Sequence, residues 1–328
     1  MPLSSPKLSP RLLDQLHVLS RDGVQTNIPL APYTSFRIGG PAEFLTVFND
    51  PSKLENALDL LHRHSISFCL LGGGSNVLVS DAGIPGLTII NQCKTIKWQD
   101  IPEQEEGATS VEAAAGAPLA GLARAAIRRG LAGLSWAVSI PGTVGGAVVG
   151  NAGAHGGDIA SIFVSARVWH QGQIHIWSAA EMSFTYRGSR LKKMSTAGDA
   201  LPVILSVIFQ LSPDTTGDAA ILAESYLQHR RRTQPTEKSA GSIFKNPAGD
   251  YAGRLLDAAG LKGRCVGDAC ISVKHANFIT NCGHATAADV IALMSLMRQE
   301  VWRQNGVLLE PEIRFIGNWR QGPALFEP

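Results

Sequence analysis

SIPGTVGGAVVGNAGAHGGDI, residues 139–159, contains seven glycines in 21 positions. The backbone, not the side chains, is what such a stretch presents to a partner. Consecutive glycines let main-chain N–H groups point into one concavity, where an anion sits without Cβ interference. Pro141 followed by glycines suits the start of a helix facing a phosphate. Three further loops share this character: Arg37-Ile-Gly-Gly40, Leu71-Gly-Gly-Gly-Ser-Asn76 and, within the quoted stretch, Asn151-Ala-Gly-Ala-His-Gly-Gly157. Ser75, Asn76 and Thr143 add side-chain donors. Any one loop alone reads as a tight turn; four together point to a dinucleotide. None fits G-x-G-x-x-G after a first strand with an acidic residue about 20 positions on, so a Rossmann site is not expected.

Around these loops the pattern is mixed α and β. Residues 1–30 read as an N-terminal extension, with Leu12, Leu13, Leu16 and Val18 as a short amphipathic piece. Ser52-Lys-Leu-Glu55 reads as a capping box opening a helix with Leu54, Leu58 and Leu61 on one face. Ile66, Phe68 and Leu70 alternate as a strand, followed by strands at 76–79 and 87–90. Between 94 and 210, strands are expected at 111–115, 162–169, 174–177 and 203–210, and Pro118 opens a helix. LSPDTTGD (211–218) is a polar break and the preferred domain boundary. Beyond it the pattern predicts helices at 219–232, 250–259 and 286–304, strands near 271–280, and a closing strand over 307–316. Val290, Met294, Met297 and Val301 share a face of the 286–304 helix, as core.

Composition narrows the function classes. The 328 residues carry 29 basic and 27 acidic side chains, a net charge of +2, so no overall field draws the chain to nucleic acid or membrane. No stretch approaches the roughly 18 apolar residues of a membrane span, and no leader pattern opens the chain. Five cysteines (Cys69, Cys93, Cys265, Cys270, Cys282), an odd number without a CxxC pair, argue against a disulfide framework and a zinc site. The expectation is a cytoplasmic protein without metal, taken as a monomer.

Six ordered motifs then carry a resemblance. TSFRIGG (34–40), LGGGSNVLVSD (71–81), the quoted 139–159 stretch, YRGS (186–189), AGSIFKNP (240–247) and LEPEIRFIG (309–317) look like the UDP-N-acetylenolpyruvoylglucosamine reductase family from about 31 to 317. The resemblance implies an α+β chain. Its FAD-binding domain is of the vanillyl-alcohol-oxidase (PCMH) type, in two subdomains at 31–93 and 94–211, and a C-terminal α+β substrate domain spans 219–318. The compact stretch from Arg187 to Ser225 resembles the shorter subfamily. FAD, held non-covalently, would receive hydride from NADPH and pass it to the enolpyruvyl ether of a UDP-sugar, giving UDP-N-acetylmuramate for peptidoglycan. The cofactor set it implies is Arg37, Gly39, Gly72, Gly73, Gly74, Ser75, Asn76, Ser139, Pro141, Gly142, Thr143, Gly145, Gly146, Asn151, Gly153, Ala154 and Arg314.

The same resemblance assigns three catalytic residues. Arg187 would stabilise negative charge developing at the substrate carboxylate. Ser242 would give the proton to the inner vinyl carbon. Glu312 would face the intermediate, most useful when its carboxyl stays neutral and donates; strand alternation would put Glu310, Glu312 and Arg314 on one face. Lys245 and Asn246 would meet the nucleotide phosphates, Tyr186 would close over the sugar, and His275 would contact substrate. Three departures from the family pattern stand out: Gly188 where Asp is usual, Val148-Val149 where a Tyr-Met pair is common, and His155 where Tyr is frequent. Two rivals remain: an FAD enzyme oxidising an alcohol, whose reduced flavin would react with oxygen or quinone, and a non-catalytic nucleotide-binding relative, which need not take up FAD.

Overall fold

The computed structural model describes residues 8–100, 109–197, 202–319 and 325–328. The first seven residues of the expected N-terminal extension, with Pro2 and Pro6, lie outside these. The chain forms two compact units interleaved in sequence. One comprises Met1–Gln25, Leu45–Gly73 and Thr88–His229; the other comprises Thr26–Phe44, Gly74–Leu87 and Arg230–Pro328.

The first unit is built on a five-stranded antiparallel sheet, in the order Gln173–Ser178, Phe163–His170, Val203–Leu211, Thr109–Ala114 and Ile96–Asp100. The central strand Val203–Leu211 is buried at seven of nine positions, in keeping with a sequence that is apolar except at Ser206 and Gln210. Helix Leu119–Arg128 buries Leu119, Leu122, Ala123 and Ala126 in the same core. Helix Pro51–Arg63 starts two residues earlier than the Ser52–Glu55 motif suggests. Asp50 is the N-cap, accepting from Ser52 N at 2.8 Å and Lys53 N at 3.2 Å, with Pro51 next. The capping-box expectation is therefore corrected: a carboxylate cap ahead of a proline outcompetes a serine behind it.

The second unit holds a four-stranded sheet, ordered Lys238–Ser242, Phe278–Asn281, Ala269–Ile271 and Cys265–Val266. Helix Ala287–Asn305 covers it. Thr286 and Asp289 form a capping box, and both carboxylate oxygens of Asp81 accept from Ala287 N and Ala288 N at 2.8 and 3.0 Å. Val290, Met294, Met297 and Val301 are fully buried, each worth about 1.5–3 kcal/mol of burial.

Two expectations fail here. The closing strand over 307–316 shrinks to Arg314–Ile316, which runs parallel to Val77–Val79. Just before the strand the chain makes only an isolated antiparallel bridge, Pro311 with Phe244, through Glu312 N to Ile243 O at 2.8 Å and Lys245 N to Glu310 O at 2.9 Å. The alternation argument for Glu310, Glu312 and Arg314 lapses with the strand. The disulfide part of the cysteine reading also fails, because Cys265 and Cys270 form a disulfide. They are directly paired across a hairpin whose turn is Gly267-Asp268, in a pair flanked by the Ile271 N to Arg264 O bond. Side chains of such non-hydrogen-bonded pairs approach closely.

Candidate active site

In the second unit, four segments meet through backbone and side-chain amide hydrogen bonds. The Ser242–Asn246 loop is joined to the Glu310–Glu312 segment by the two bonds just given. Asn76 joins in turn, its Nδ2 donating to Glu312 O at 3.2 Å and its carbonyl accepting from Arg314 N at 3.0 Å. Asn277 closes the group, with Nδ2 donating to Phe244 O at 2.8 Å and Oδ1 accepting from Phe244 N at 2.9 Å. Ser242, Glu312, Asn76 and Arg314 thus stand on one hydrogen-bonded framework, and Ser242 and Glu312 are both half-buried.

Other expected residues of this unit have identifiable partners. Lys245 Nζ pairs with the Glu310 carboxylate, and Asn246 Oδ1 accepts from Ala252 N at 3.1 Å, at the start of helix Ala252–Ala258. The His275 ring accepts from Asn277 N through Nδ1 at 3.2 Å. Burial, then the nearby Lys262 charge, holds its pKa below the ordinary histidine value. A neutral ring accepting at Nδ1 keeps its proton on Nε2, so His275 offers a donor, not a charge. Arg37 adopts φ 57° in the Thr34–Gly40 loop, its guanidinium bonded to Pro32 O and its carbonyl accepting from Asn281 Nδ2 at 3.3 Å. Gly74 O accepts from Ser35 N at 3.1 Å, and Ser35 Oγ reaches Ser239 O at 2.7 Å. Gly39 packs on Val79.

In the first unit, two glycine loops come together. A Cβ on Gly72 would lie 2.3 Å from Thr143 Oγ1, and one on Gly73 would lie 3.0 Å from the Gly142 Cα. Side-chain-free backbone from 72–73 thus faces backbone from 142–143, next to Ser139 and Pro141 in sequence. Such a cradle fits the diphosphate of FAD. In helix Val144–Gly150, the first two N–H groups are engaged internally, Val144 N with Ala117 O and Gly145 N with Ala115 O, both at 2.8 Å. Gly145 therefore serves close packing against Ala115, and Gly146 follows it inside the helix. Gly72→Ala must push Thr143 aside, and is expected to weaken FAD binding about tenfold, read by titrating apoprotein through flavin fluorescence.

Asn151 ends that helix at φ 42° and is buried. Its Oδ1 accepts from Ala160 N at 3.0 Å, while Nδ2 donates to Asp158 Oδ2 at 3.3 Å and to Thr185 O at 3.1 Å. Gly153 and Ala154 pair with Asp158 and Gly157 as a short ribbon, and His155 at its tip stacks on Tyr226 with 4.0 Å between ring centroids. Through Asn151 the glycine stretch is tied to the Tyr186-Arg187 turn. Thr185 and Gly188 close that turn with paired bonds of 3.0 and 3.1 Å, Ser189 Oγ donates to Val149 O at 2.7 Å, and Arg187 sits at φ 54° with its guanidinium 5.7 Å from the Tyr186 ring centroid. Tyr186 is exposed. A Cβ at position 188 would lie 2.7 Å from Thr185 Oγ1, so the Gly188 departure suits this tight closure. Sequence reasoning passed over Asn277 and Tyr226. The Ala-Asn-Phe run containing Asn277 has no spacing signal, and only the fold brings it 33 residues back to Phe244.

Residues 42–174 match the FAD binding domain family, and residues 234–316 match the C-terminal domain family of UDP-N-acetylenolpyruvoylglucosamine reductase. The chain is 44% identical to UDP-N-acetylenolpyruvoylglucosamine reductase 2 of Symbiobacterium thermophilum over 88% of its own length and 91% of the relative's. It is 39% identical to the reductase of Halalkalibacterium halodurans, covering 94% of this chain and 99% of that one. The crystal structure of UDP-N-acetylenolpyruvylglucosamine reductase from Thermus caldophilus superposes with a TM-score of 0.72 at 34% identity, over 88% of this chain and 97% of the other.

Proposed function

The chain belongs to the UDP-N-acetylenolpyruvoylglucosamine reductase family, and we propose that Arg187, Ser242 and Glu312 carry its reaction. The enzyme reduces the enolpyruvyl group of UDP-N-acetylglucosamine enolpyruvate to give UDP-N-acetylmuramate, a peptidoglycan precursor. FAD, when bound, relays hydride from NADPH to the substrate's vinyl group. The chain's own task is to bind and orient the ether, hold the developing charge and deliver one proton.

Hydride arriving at the outer vinyl carbon sends negative charge onto the inner carbon and its carboxylate. Arg187 meets that charge as it grows, which lowers the barrier more than it tightens substrate binding. The Ser242 hydroxyl gives its proton to the inner carbon, completing addition of H⁻ and H⁺ across the double bond, and solvent restores it. Glu312, as a neutral acid, donates to the carboxylate. The observation supporting the Ser242–Glu312 pairing is the 2.8 Å bond from Glu312 N to Ile243 O, which links the two residues' segments one residue from Ser242. Lys245, His275 and Tyr186 are assigned to the UDP-sugar. We also read the enzyme as a cytoplasmic monomer, since NADPH and nucleotide sugars are intracellular metabolites.

The test is anaerobic. NADPH is added to the holoenzyme until the flavin absorbance bleaches, and the enolpyruvyl substrate is then added. Its return without oxygen supports the reading; return only with oxygen or a quinone favours an alcohol-oxidising relative. Glu312 gives a second check. Because glutamine is also a neutral donor, Glu312→Gln is expected to keep substrate-driven reoxidation within about tenfold of wild type, whereas Glu312→Ala loses about a hundredfold. Equal losses in both variants would remove the donor role.

A further inference from the structure

Residues Ile243, Phe244 and Lys245 link the proposed proton donor to the proposed phosphate contact, and five consecutive backbone groups of this link are bonded. Two go to the Glu310–Glu312 segment: Ile243 O accepts from Glu312 N, and Lys245 N donates to Glu310 O. The other three go to one residue. Asn277 accepts from Ile243 N through its main-chain carbonyl at 2.9 Å, and its side-chain amide takes both the N–H and the carbonyl of Phe244.

The reason lies in the sheet. Strand Lys238–Ser242 pairs with Phe278–Asn281, but two residues, Ala240 and Gly241, oppose the single residue Ile279, with Gly241 at φ 79°. This bulge re-aims the chain at Ser242. Beyond Ser242 the neighbouring strand turns away: Asn277 N–H goes to the His275 ring and Phe278 N to His275 O. The Asn277 amide supplies the donor and acceptor that the missing strand would have offered. It is buried, as are the Ile243 and Phe244 side chains beneath it. An amide locked at both ends fixes the loop against sliding, and so fixes where Ser242 Oγ and Lys245 Nζ begin.

We infer that Asn277 is a positioning residue for proton delivery, acting through Ser242. The inference rests on the reading of Ser242 as donor. It gives Asn277 no contact with substrate; its effect is on geometry, where a misplacement of about 1 Å costs on the order of a hundredfold.

The test uses FAD-loaded Asn277→Asp, prepared at pH 6 and jumped to pH 8.5. Burial disfavours the ionised carboxyl, so at the lower pH it stays protonated and replaces the amide bond for bond. Once ionised it cannot donate to Phe244 O. His275, Lys245, Glu310 and Glu312 are the ionisable groups on the segments around it, and all are present in wild type, so rates are read as ratios to wild type at each pH. Substrate-driven reoxidation is expected near the wild-type rate at pH 6 and about ten- to a hundredfold slower at pH 8.5, while NADPH-driven reduction tracks wild type throughout. Asn277→Ser, which loses the pair without adding charge, should show the same selective loss at both pH values. In a Ser242→Ala background neither substitution should slow the second half-reaction further.

Equal loss in both half-reactions, release of FAD by both variants, or a loss additive with Ser242→Ala assigns a structural role and overturns the inference. If Ser242→Ala is slow but Asn277→Ser matches wild type at both pH values, this inference fails alone. If Ser242→Ala itself matches wild type, the donor reading fails and takes this one with it.

Discussion

Ser242→Ala is expected to take hydride from NADPH at the wild-type rate and to return it to the enolpyruvyl substrate about 10²–10⁴ times more slowly, the usual worth of a positioned proton donor. A serine hydroxyl is a poor acid, and it suffices here only because the acceptor is the strongly basic carbon left by hydride addition. Its value is therefore place more than acidity. The fold supplies the place: a bulge with Gly241 at φ 79° turns the chain at Ser242, and the bonds from Asn277 and Glu312 hold the next residues. Alanine keeps that backbone and removes only the hydroxyl. Stopped-flow absorbance separates the half-reactions, and the fall should appear in kcat with little change in KM, because ground-state contacts remain. Ser242→Cys, with a more acidic thiol, should recover part of the lost rate. Wild-type reoxidation in the alanine variant would reject the assignment.

How far this was legible in the sequence varies with the range of the interaction. The Ala287–Asn305 helix was readable because its signals are local: Thr286 with Asp289, apolar positions one turn apart, and Gly306 in the left-handed region at its end. Glycine density marked 71–76 and 139–157, but separating cradle from packing needs contacts. Gly72 and Gly73 face the 142–143 loop, whereas Gly145 packs against Ala115. Local rules misled where two signals competed, as with Asp50-Pro51 ahead of Ser52. The segment 307–313 reads as an extended run, yet its bonds go to residues some 65 positions away, as Lys245 N to Glu310 O shows. Cysteine parity could not reveal the Cys265–Cys270 bridge, although Gly267-Asp268 between them was a readable hairpin turn. Asn277 was the hardest to see, since an amide used as a substitute strand carries no pattern of its own.

Arg187→Ala is expected to slow substrate-driven reoxidation by about 10²–10³-fold, about 2.7–4 kcal/mol of transition-state stabilisation, again leaving NADPH-driven reduction intact. The cation's worth depends on its being fixed before charge develops, and the turn that carries it is over-determined. The turn is closed by the Thr185–Gly188 pair of bonds, tied to the glycine stretch by Asn151 Nδ2 on Thr185 O and Ser189 Oγ on Val149 O, and capped by Lys192 Nζ on Arg187 O at 2.8 Å. Gly188, where Asp is usual in the family, offers no side chain to hold Arg187. The backbone closure supplies another restraint, one that does not act on the guanidinium. Two substitutions separate these contributions. Arg187→Lys keeps charge but loses the planar fork, so it should recover less than a tenth of the lost rate. Asn151→Ala keeps the guanidinium and frees its turn, so it should cost less than Arg187→Ala and fall almost wholly on kcat. An Arg187→Lys variant at full speed would mean that positive charge alone suffices, and an Asn151→Ala variant at full speed that the turn's rigidity has no part in the chemistry.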